Sequence, residues 1–354
     1  MNIVYALSGE GRGHSSLARA ILPVLQRAGH RLRVVTYGQS LAPLADYDPL
    51  PIRGIRHHYD PRGRLSLART FFGNRGVLPW YAEHWGWLRR QLRAFAPDLC
   101  IVNFEPFMPL VARSLRIPVL SFDNQHALLH DGTPAPRGSR WCVWFTKTAI
   151  RCVAPGADEY VVMAFAPPAV ASPRVHVVPP VVQDEFRRLR PTVGEHVLVY
   201  LKHPHPRFLA VLQQTGRPFL VYGYNRAAVD GNLTYRVFSD AMPGELAASR
   251  AVMGTAGMSL VSEAVWLRKP FFGVPLKNEF EQHWNAMQLR EADFGDFAEE
   301  PSRAEIELFF ARLDRHRRAL QDYRYDADAA GAKLLELIDR RQTARGQSKR
   351  GPGS

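Results

Sequence analysis

Cysteine is sparse in this sequence: Cys100, Cys142 and Cys152 are its three, set in apolar surroundings with no CxxC spacing. That argues against a disulfide scaffold or a cysteine-built zinc site, and for reduced thiols in an intracellular protein. Long apolar runs are lacking too. None approaches the ~18 residues of a spanning helix, and the charged residues after Leu7 do not suit a secretory leader. A cytoplasmic protein is expected, either free or resting on the inner face of the cytoplasmic membrane. Acidic residues fall short of basic ones, 33 against 46, for a net charge of +13. Such an excess points to phosphate-bearing ligands, an anionic membrane face or nucleic acid. No recognised nucleic-acid motif is present, so a nucleic-acid partner is not expected.

What is present is length and alternation. The chain has 354 residues, 46% of them hydrophobic, enough for two cores by the usual ~100–200 residues per domain. Apolar strand patterns at Ile3–Leu7, Leu32–Tyr37, Leu99–Phe104, Val119–Phe122, Tyr160–Phe165 and Val175–Val178 alternate with helical spacing at Ser15–Ala28, Ser40–Asp46, Tyr81–Phe95, Pro109–Leu115 and Trp141–Cys152. A proline- and charge-rich stretch then breaks the rhythm. Strands at Val197–Leu201, Phe219–Tyr222, Tyr235–Phe238, Ala251–Met253 and Phe271–Val274 follow, with helices at Arg207–Gln214, Pro243–Ser249, Ser259–Leu267 and Glu279–Glu291. Two further helices are expected at Arg303–Tyr323 and Ala327–Arg341. The fold class is α/β, two Rossmann-like doubly wound parallel-sheet domains facing across a cleft. The domains read as 1–182 and 197–323, joined by a linker at 183–196. A last helix, 324–341, is expected to pack back on the first domain, and 342–354 reads as a disordered basic tail.

Two glycine turns stand out. "LSGEGRGHSS" sets Gly9, Gly11 and Gly13 between the first strand and helix, ending in His14. Glycines permit positive φ and close backbone approach, and the following helix start offers free N–H groups to an anion. The loop is not a dinucleotide fingerprint, because His14 stands where GxGxxG needs glycine and no acid ends the second strand at "VVTYGQS". It is not a Walker loop, because no GK[ST] follows. In the second half, Thr255, Gly257 and Ser259 form another anion-holding turn with Ser259 as candidate N-cap. Ser262 and Glu263 follow on the same helix, where a carboxylate can accept from vicinal ribose hydroxyls. Glu281, Gln282 and Asn285 gather at the next helix start and can read sugar hydroxyls.

The Gly254–Gly295 block resembles the donor-binding segment of GT-B glycosyltransferases. It is similar in particular to the enzyme that adds N-acetylglucosamine to lipid I, and more distantly to UDP-glucuronosyl and plant UDP-sugar transferases. "SEA…KPFFGVPL…EQHWNA" carries the likeness there, and Gly9 to His14 matches the family's N-terminal glycine turn. Closer still are uncharacterised bacterial and archaeal members with GEGxGH, FEP and DNQH, found here at Gly9–His14, Phe104–Pro106 and Asp123–His126. Glu281 stands where the lipid I enzyme has glutamine, so N-acetylglucosamine is not implied. Asn103 stands before FEP where the closer subgroup carries an acid.

The resemblance implies a hexosyl transferase using a nucleotide diphosphate sugar, a UDP-sugar by preference, with inversion and without a metal or other cofactor. It implies donor binding by Gly11, Gly13, Lys202, Phe238, Thr255, Gly257, Met258, Ser259, Ser262, Glu263, Glu281, Gln282 and Asn285. His14 is the leading general base, as imidazole suits proton transfer near neutrality, or else it contacts phosphate. Asp123 and His126, after a strand's carboxyl end, are its rivals. Glu10, Glu105, Asn124, Gln125 and Trp80 are the acceptor-side candidates, for a lipid-linked or glycan acceptor. The aromatic and basic run Phe71–Arg93 fits a peripheral membrane surface, an acceptor pocket or a helix packed on the sheet. Asp326-Ala327-Asp328 reads as a helix N-cap and not a metal motif. A UDP-sugar 2-epimerase and a non-catalytic nucleotide-sugar-binding protein are the competing readings.

Overall fold

The computed structural model describes residues 1–58, 66–129, 140–165, 172–277 and 279–349. The first lobe carries β1 (Asn2–Leu7), β2 (Arg31–Thr36), β3 (Leu50–Pro51), β4 (Leu99–Asn103), β5 (Val119–Asp123), β6 (Glu159–Met163) and β7 (Val175–Val178). They form one parallel sheet in the order β3-β2-β1-β4-β5-β6-β7. Its helices are α1 (Arg12–Arg27), α2 (Leu67–Gly73), α3 (Val77–Phe95), α4 (Met108–Ser114) and α5 (Arg140–Cys152). A single helical turn, α6 (Asp184–Arg187), interrupts the linker.

The second lobe carries β8 (Val197–Tyr200), β9 (Phe219–Tyr222), β10 (Ala228–Asp230), β11 (Leu233–Tyr235), β12 (Ala251–Gly254), β13 (Phe271–Gly273) and β14 (Gly295–Phe297). The order is β10-β11-β9-β8-β12-β13-β14, parallel except where β10 turns back on β11. Its helices are α7 (Pro206–Gln213), α8 (Met242–Ala247), α9 (Met258–Trp266), α10 (Phe280–Glu291), α11 (Arg303–Ala311) and α12 (Leu313–Asp322), and the chain ends on α13 (Ala329–Lys349). Two doubly wound parallel sheets are therefore present, as the alternation implies.

The inner strands are apolar because helices cover both faces. Along β1, Ile3, Tyr5 and Leu7 point to one side, where Ala18, Ile21, Leu22 and Leu25 of α1 meet Ala330, Leu334, Leu337 and Ile338 of α13. Val4 and Ala6 point to the other, against Tyr81, Leu88 and Leu92 of α3 and Val111 of α4. This is the period of two expected of a strand. The last helix thus completes the core of the first lobe. A third apolar cluster joins the lobes: Ala127, Leu128, Ile150, Val162 and Ala164 pack with Phe280 and Trp284 of α10.

Some elements differ from the sequence reading. The strand expected at Tyr235–Phe238 lies at Leu233–Tyr235, as one arm of a hairpin closed by Gly231 (φ 59°) and Asn232, so Phe238 sits in the loop beyond it. The helix expected at Arg303–Tyr323 divides at Arg312 (φ −97°, ψ 0°). Helix α3 starts at Val77 because Pro79 falls in its first turn, where a missing N–H costs little. The stretch read as a tail from 342 is helical through Lys349.

Leu334 is fully buried between α13 and the first sheet. Leu334→Ala should therefore destabilise the first lobe by roughly 2–5 kcal/mol, measured by urea denaturation.

Candidate active site

Both sheets end their central strands at one gap. After β1, Gly9 packs so closely that a Cβ there would lie 1.9 Å from the Tyr37 carbonyl oxygen, and Gly11 adopts φ +73°. Each demands glycine for a different reason, one steric and one conformational. The turn after β12 is the counterpart. Ala256 holds φ 54°, and Gly257 is the N-cap of α9 without any side-chain cap. A Cβ on Gly13 would lie 3.4 Å from Ser259 Oγ. The first turns of α1 and α9 therefore meet across the cleft. Two helix N-termini, with unsatisfied N–H groups and partial positive charge, converge on one space suited to an anion. Ser259 is the second residue of α9 rather than its cap, a two-residue correction that leaves it at the gap.

His14 sits beside that space. Its Nδ1 lies 2.6 Å from Asn103 Oδ1, at the carboxyl end of β4. Asn103 Nδ2 donates to the Phe122 carbonyl at 2.7 Å, which fixes the amide with its oxygen toward the imidazole. An amide oxygen can only accept, so the proton resides on His14 Nδ1 and the lone pair on Nε2. Phe104, in the left-handed region at φ 52°, lays its ring parallel to the imidazole at 6.1 Å. Burial lowers the His14 pKa; the Asn103 hydrogen bond and the charges of Glu281 and Asp123 act against that, and His57 acts with it. The neutral imidazole is the favoured form.

From the second lobe, the Glu281 carboxylate crosses the cleft and accepts from Asn124 Nδ2 at 2.9 Å and Gln125 Nε2 at 3.1 Å. Donor-side and acceptor-side candidates thus meet in one cluster. Gln282 Oε1 accepts from the Leu276 N–H at 2.9 Å, and Asn285 Nδ2 donates to the Ala256 carbonyl at 2.9 Å, bracing the turn before α9. Asn285 Oδ1 is buried with no hydrogen-bond partner among the described residues. Glu263 is buried and faces the linker, where Gln183 hydrogen-bonds it; burial, with the Glu185 charge adding, pushes its carboxyl up to about 8. Thr255 is buried, and Met258 packs against both the second-lobe core and the interlobe cluster. Lys202 is exposed after β8. The Phe238 ring stands 5.1 Å from that of Tyr200 and 5.4 Å from that of Tyr222, covering the ends of β8 and β9.

Residues 1–314 match the sequence profile of glycosyl transferase family 1. The chain belongs to glycosyl transferase family 1. Solved structures share its fold over nearly the whole length. The calicheamicin glycosyltransferase CalG4 superposes with a TM-score of 0.66 at 16% identity, covering 96% of this chain and 98% of that one. MurG of Acinetobacter baumannii gives 0.57 at 18%, covering 96% and 100%. The spinosyn rhamnosyltransferase SpnG, solved with thymidine diphosphate, gives 0.63 at 15%, covering 95% and 99%. No curated protein sequence matches the chain. This protein is an enzyme of the GT-B glycosyltransferase type, and sugar transfer is its activity.

Within this glycosyltransferase, several sequence candidates are committed elsewhere. Asp123 and His126, expected as rival bases, are fully buried and spent on each other: His126 Nδ1 lies 2.7 Å from Asp123 Oδ2, and its Nε2 lies 3.1 Å from the Val153 carbonyl. Both ring nitrogens donate, so His126 is an imidazolium with no lone pair to offer. Asp123, buried, is held below the usual carboxylate range by the His126 charge and hydrogen bonds, and its own charge raises His126 against the effect of burial. Glu105, expected on the acceptor side, is buried and accepts from the Met108 N–H at 2.6 Å and the Phe107 N–H at 3.1 Å, capping α4. Burial pushes its carboxyl up to about 7. Ser262, expected at the donor, is buried and returns its hydroxyl to the Ser259 carbonyl at 2.8 Å. Glu10 accepts from the His57 N–H at 2.9 Å. Trp80 stacks on His84 at 4.4 Å and packs against the first-lobe core. Asp326 Oδ1 accepts from the N–H groups of Asp328 and Ala329 at 3.0 and 3.1 Å, the helix-start role its DxD was assigned.

Asn103 is the residue that sequence reasoning undervalued. Its signal was its place at the carboxyl end of a strand pairing with β1, where α/β ligands collect.

Asp123→Asn should cost roughly 3–5 kcal/mol of stability at neutral pH, because it strands a buried imidazolium. The pair's contribution is present between the two ionisations. His126 is raised in the fold, so its share is lost as pH rises through that raised value; Asp123 is lowered, so its share is lost as pH falls through that lowered value. Melting temperatures of both proteins across pH should converge at either extreme.

Proposed function

We propose that this glycosyltransferase moves a hexose from a uridine diphosphate sugar to a hydroxyl acceptor, with inversion and without a metal ion. The observation that carries the reading is the approach of α1 and α9 at Gly13 and Ser259, with His14 in the first turn of α1 held by Asn103 through Nδ1. The diphosphate sits in that gap against the backbone of Gly11, Gly13, Thr255, Gly257, Met258 and Ser259, with Lys202 adding charge. Phe238 faces the base. Glu263 meets the ribose; a carboxyl raised to about 8 is protonated at neutrality and can donate to one vicinal hydroxyl while accepting from the other. Glu281, Gln282 and Asn285 Oδ1, which has no partner among the described residues, read the sugar.

The reaction is a single displacement. His14 Nε2 takes the acceptor hydroxyl's proton as that oxygen bonds to the anomeric carbon. The bond from that carbon to the diphosphate oxygen breaks, and the nucleoside diphosphate leaves carrying the negative charge. Attack comes from the face opposite the leaving group, which inverts the centre. Fixed dipoles at the two helix starts meet the developing charge without reorganisation. A 2-epimerase needs further acids and bases at the sugar, and Asp123, His126 and Glu105 are tied into the core.

Binding of UDP should raise the melting temperature more than TDP, which SpnG was solved with. Glu263→Ala should weaken UDP binding roughly 10- to 100-fold, as expected for lost bonds to a carboxyl. His14→Ala should leave binding intact and cut turnover about 10²- to 10⁴-fold. Turnover should persist in EDTA. Full activity in His14→Ala would remove the base, and tighter binding of TDP would reassign the nucleotide.

The acceptor is read as a lipid-linked sugar or glycan reached at a membrane surface. On α2 and α3, Phe71, Phe72 and Leu78 are 75, 63 and 69% exposed, with Arg75, Arg90 and Arg93 on the same segment. Aromatic side chains amid arginines suit an anionic interface. Among the described residues no helix is long and apolar enough to cross a membrane. Phe71→Glu together with Phe72→Glu should abolish co-sedimentation with phosphatidylglycerol vesicles while sparing UDP binding; unchanged sedimentation would exclude this face.

A further inference from the structure

Among the described residues no carboxylate hydrogen-bonds His14. Its hydrogen-bond partner, Asn103, is a neutral amide, which orients the ring but supplies no charge to the imidazolium that forms on proton uptake. Among the described residues the nearby carboxylates of the first lobe are engaged: Asp123 pairs with His126, Glu105 caps α4, and Glu10 holds the His57 backbone. Glu281 differs. It is held by two neutral side-chain amides, and among the described residues no ion pair balances its charge. Its holder Asn124 lies two residues beyond Phe122, whose carbonyl pins Asn103 against His14. One short path, Glu281 to Asn124 to Phe122 to Asn103, thus links α10 of one lobe to the base of the other.

We propose that Glu281 is the counter-ion of His14, delivered from the opposite lobe. The inference rests on the reading of His14 as base. The groups facing His14 are Asn103 from β4, Asp123 from β5, Glu281 from α10 and His57 from the segment after β3. Asp123 and Asn103 belong to the same lobe as His14 and stay with it. Of the groups that favour the charged imidazole, Glu281 is the one that comes from the second lobe. In this role Glu281 is a positioning residue acting through His14, apart from its contact with the sugar.

The test is an NMR titration of His14 in the full chain labelled with ¹³C-histidine, run without donor, the signal being assigned by its loss in His14→Gln. Glu281→Gln should lower the His14 pKa by about one unit. Asn124→Ala together with Gln125→Ala, which keeps the carboxylate but releases it, should lower it as well. Asn103→Asp in the Glu281→Gln background should restore it, because it sets a carboxylate directly on Nδ1. The acid limb of the kcat/KM profile should move with these values. A His14 that titrates unchanged in Glu281→Gln, or is not rescued by Asn103→Asp, would overturn the proposal. The titration requires no turnover, so a fully active His14→Ala enzyme would discard the base reading and leave the coupling standing.

Discussion

The convergence of two helix N-termini on a single gap governs this structure. Each helix start carries unsatisfied N–H groups and partial positive charge, and the starts of α1 and α9 lie so near that a Cβ on Gly13 would reach within 3.4 Å of Ser259 Oγ. An anion between two such helix starts is favoured by both. The surrounding backbone is shaped to permit the approach. Gly9 is pressed against Tyr37, Gly11 takes a positive φ, and Ala256 and Phe104 hold left-handed conformations at the ends of β12 and β4. Non-glycine residues in that region store strain, and both stand where the strands deliver their loops to the cleft.

Around the gap the charges divide into two populations. Asp123, His126 and Glu105 are inside the first lobe, each satisfied by a neighbour or a helix start, and they hold the frame beneath the site. His14 and Glu281 face the cleft, each positioned by neutral amides: Asn103 for the one, Asn124 and Gln125 for the other. Amides orient without neutralising. That distinction separates the groups available for chemistry from those committed to architecture.

The same distinction explains what the sequence could and could not convey. The central strands were legible because burial on both faces writes a continuous apolar run. Strands β3, β10 and β14 were not: they are two or three residues long, and they lack the wholly buried apolar run that marked the equally short β13. The glycine turns and the Glu281–Asn285 group were visible as local patterns. Asp123, His126 and Glu105 were misread because position at a strand's carboxyl end does not say whether a side chain points into the cleft or back into the core. The pairing of Asn124 with Glu281 spans 157 residues, and His14 with Asn103 spans 89, so neither leaves a local trace. The helical extension through Lys349 was hidden by a composition of basic, small and polar residues that lacks an apolar stripe.

The last helix returns to the lobe where the chain began, so the polypeptide passes between the lobes twice, before β8 and again before α13. The two passages run side by side: Arg187 pairs with Asp328 at 2.7 Å, and the Tyr325 hydroxyl donates to the Pro180 carbonyl at 2.8 Å. The two crossings are thus fastened to each other, and the lobes are joined through one doubled strap rather than through two separate tethers.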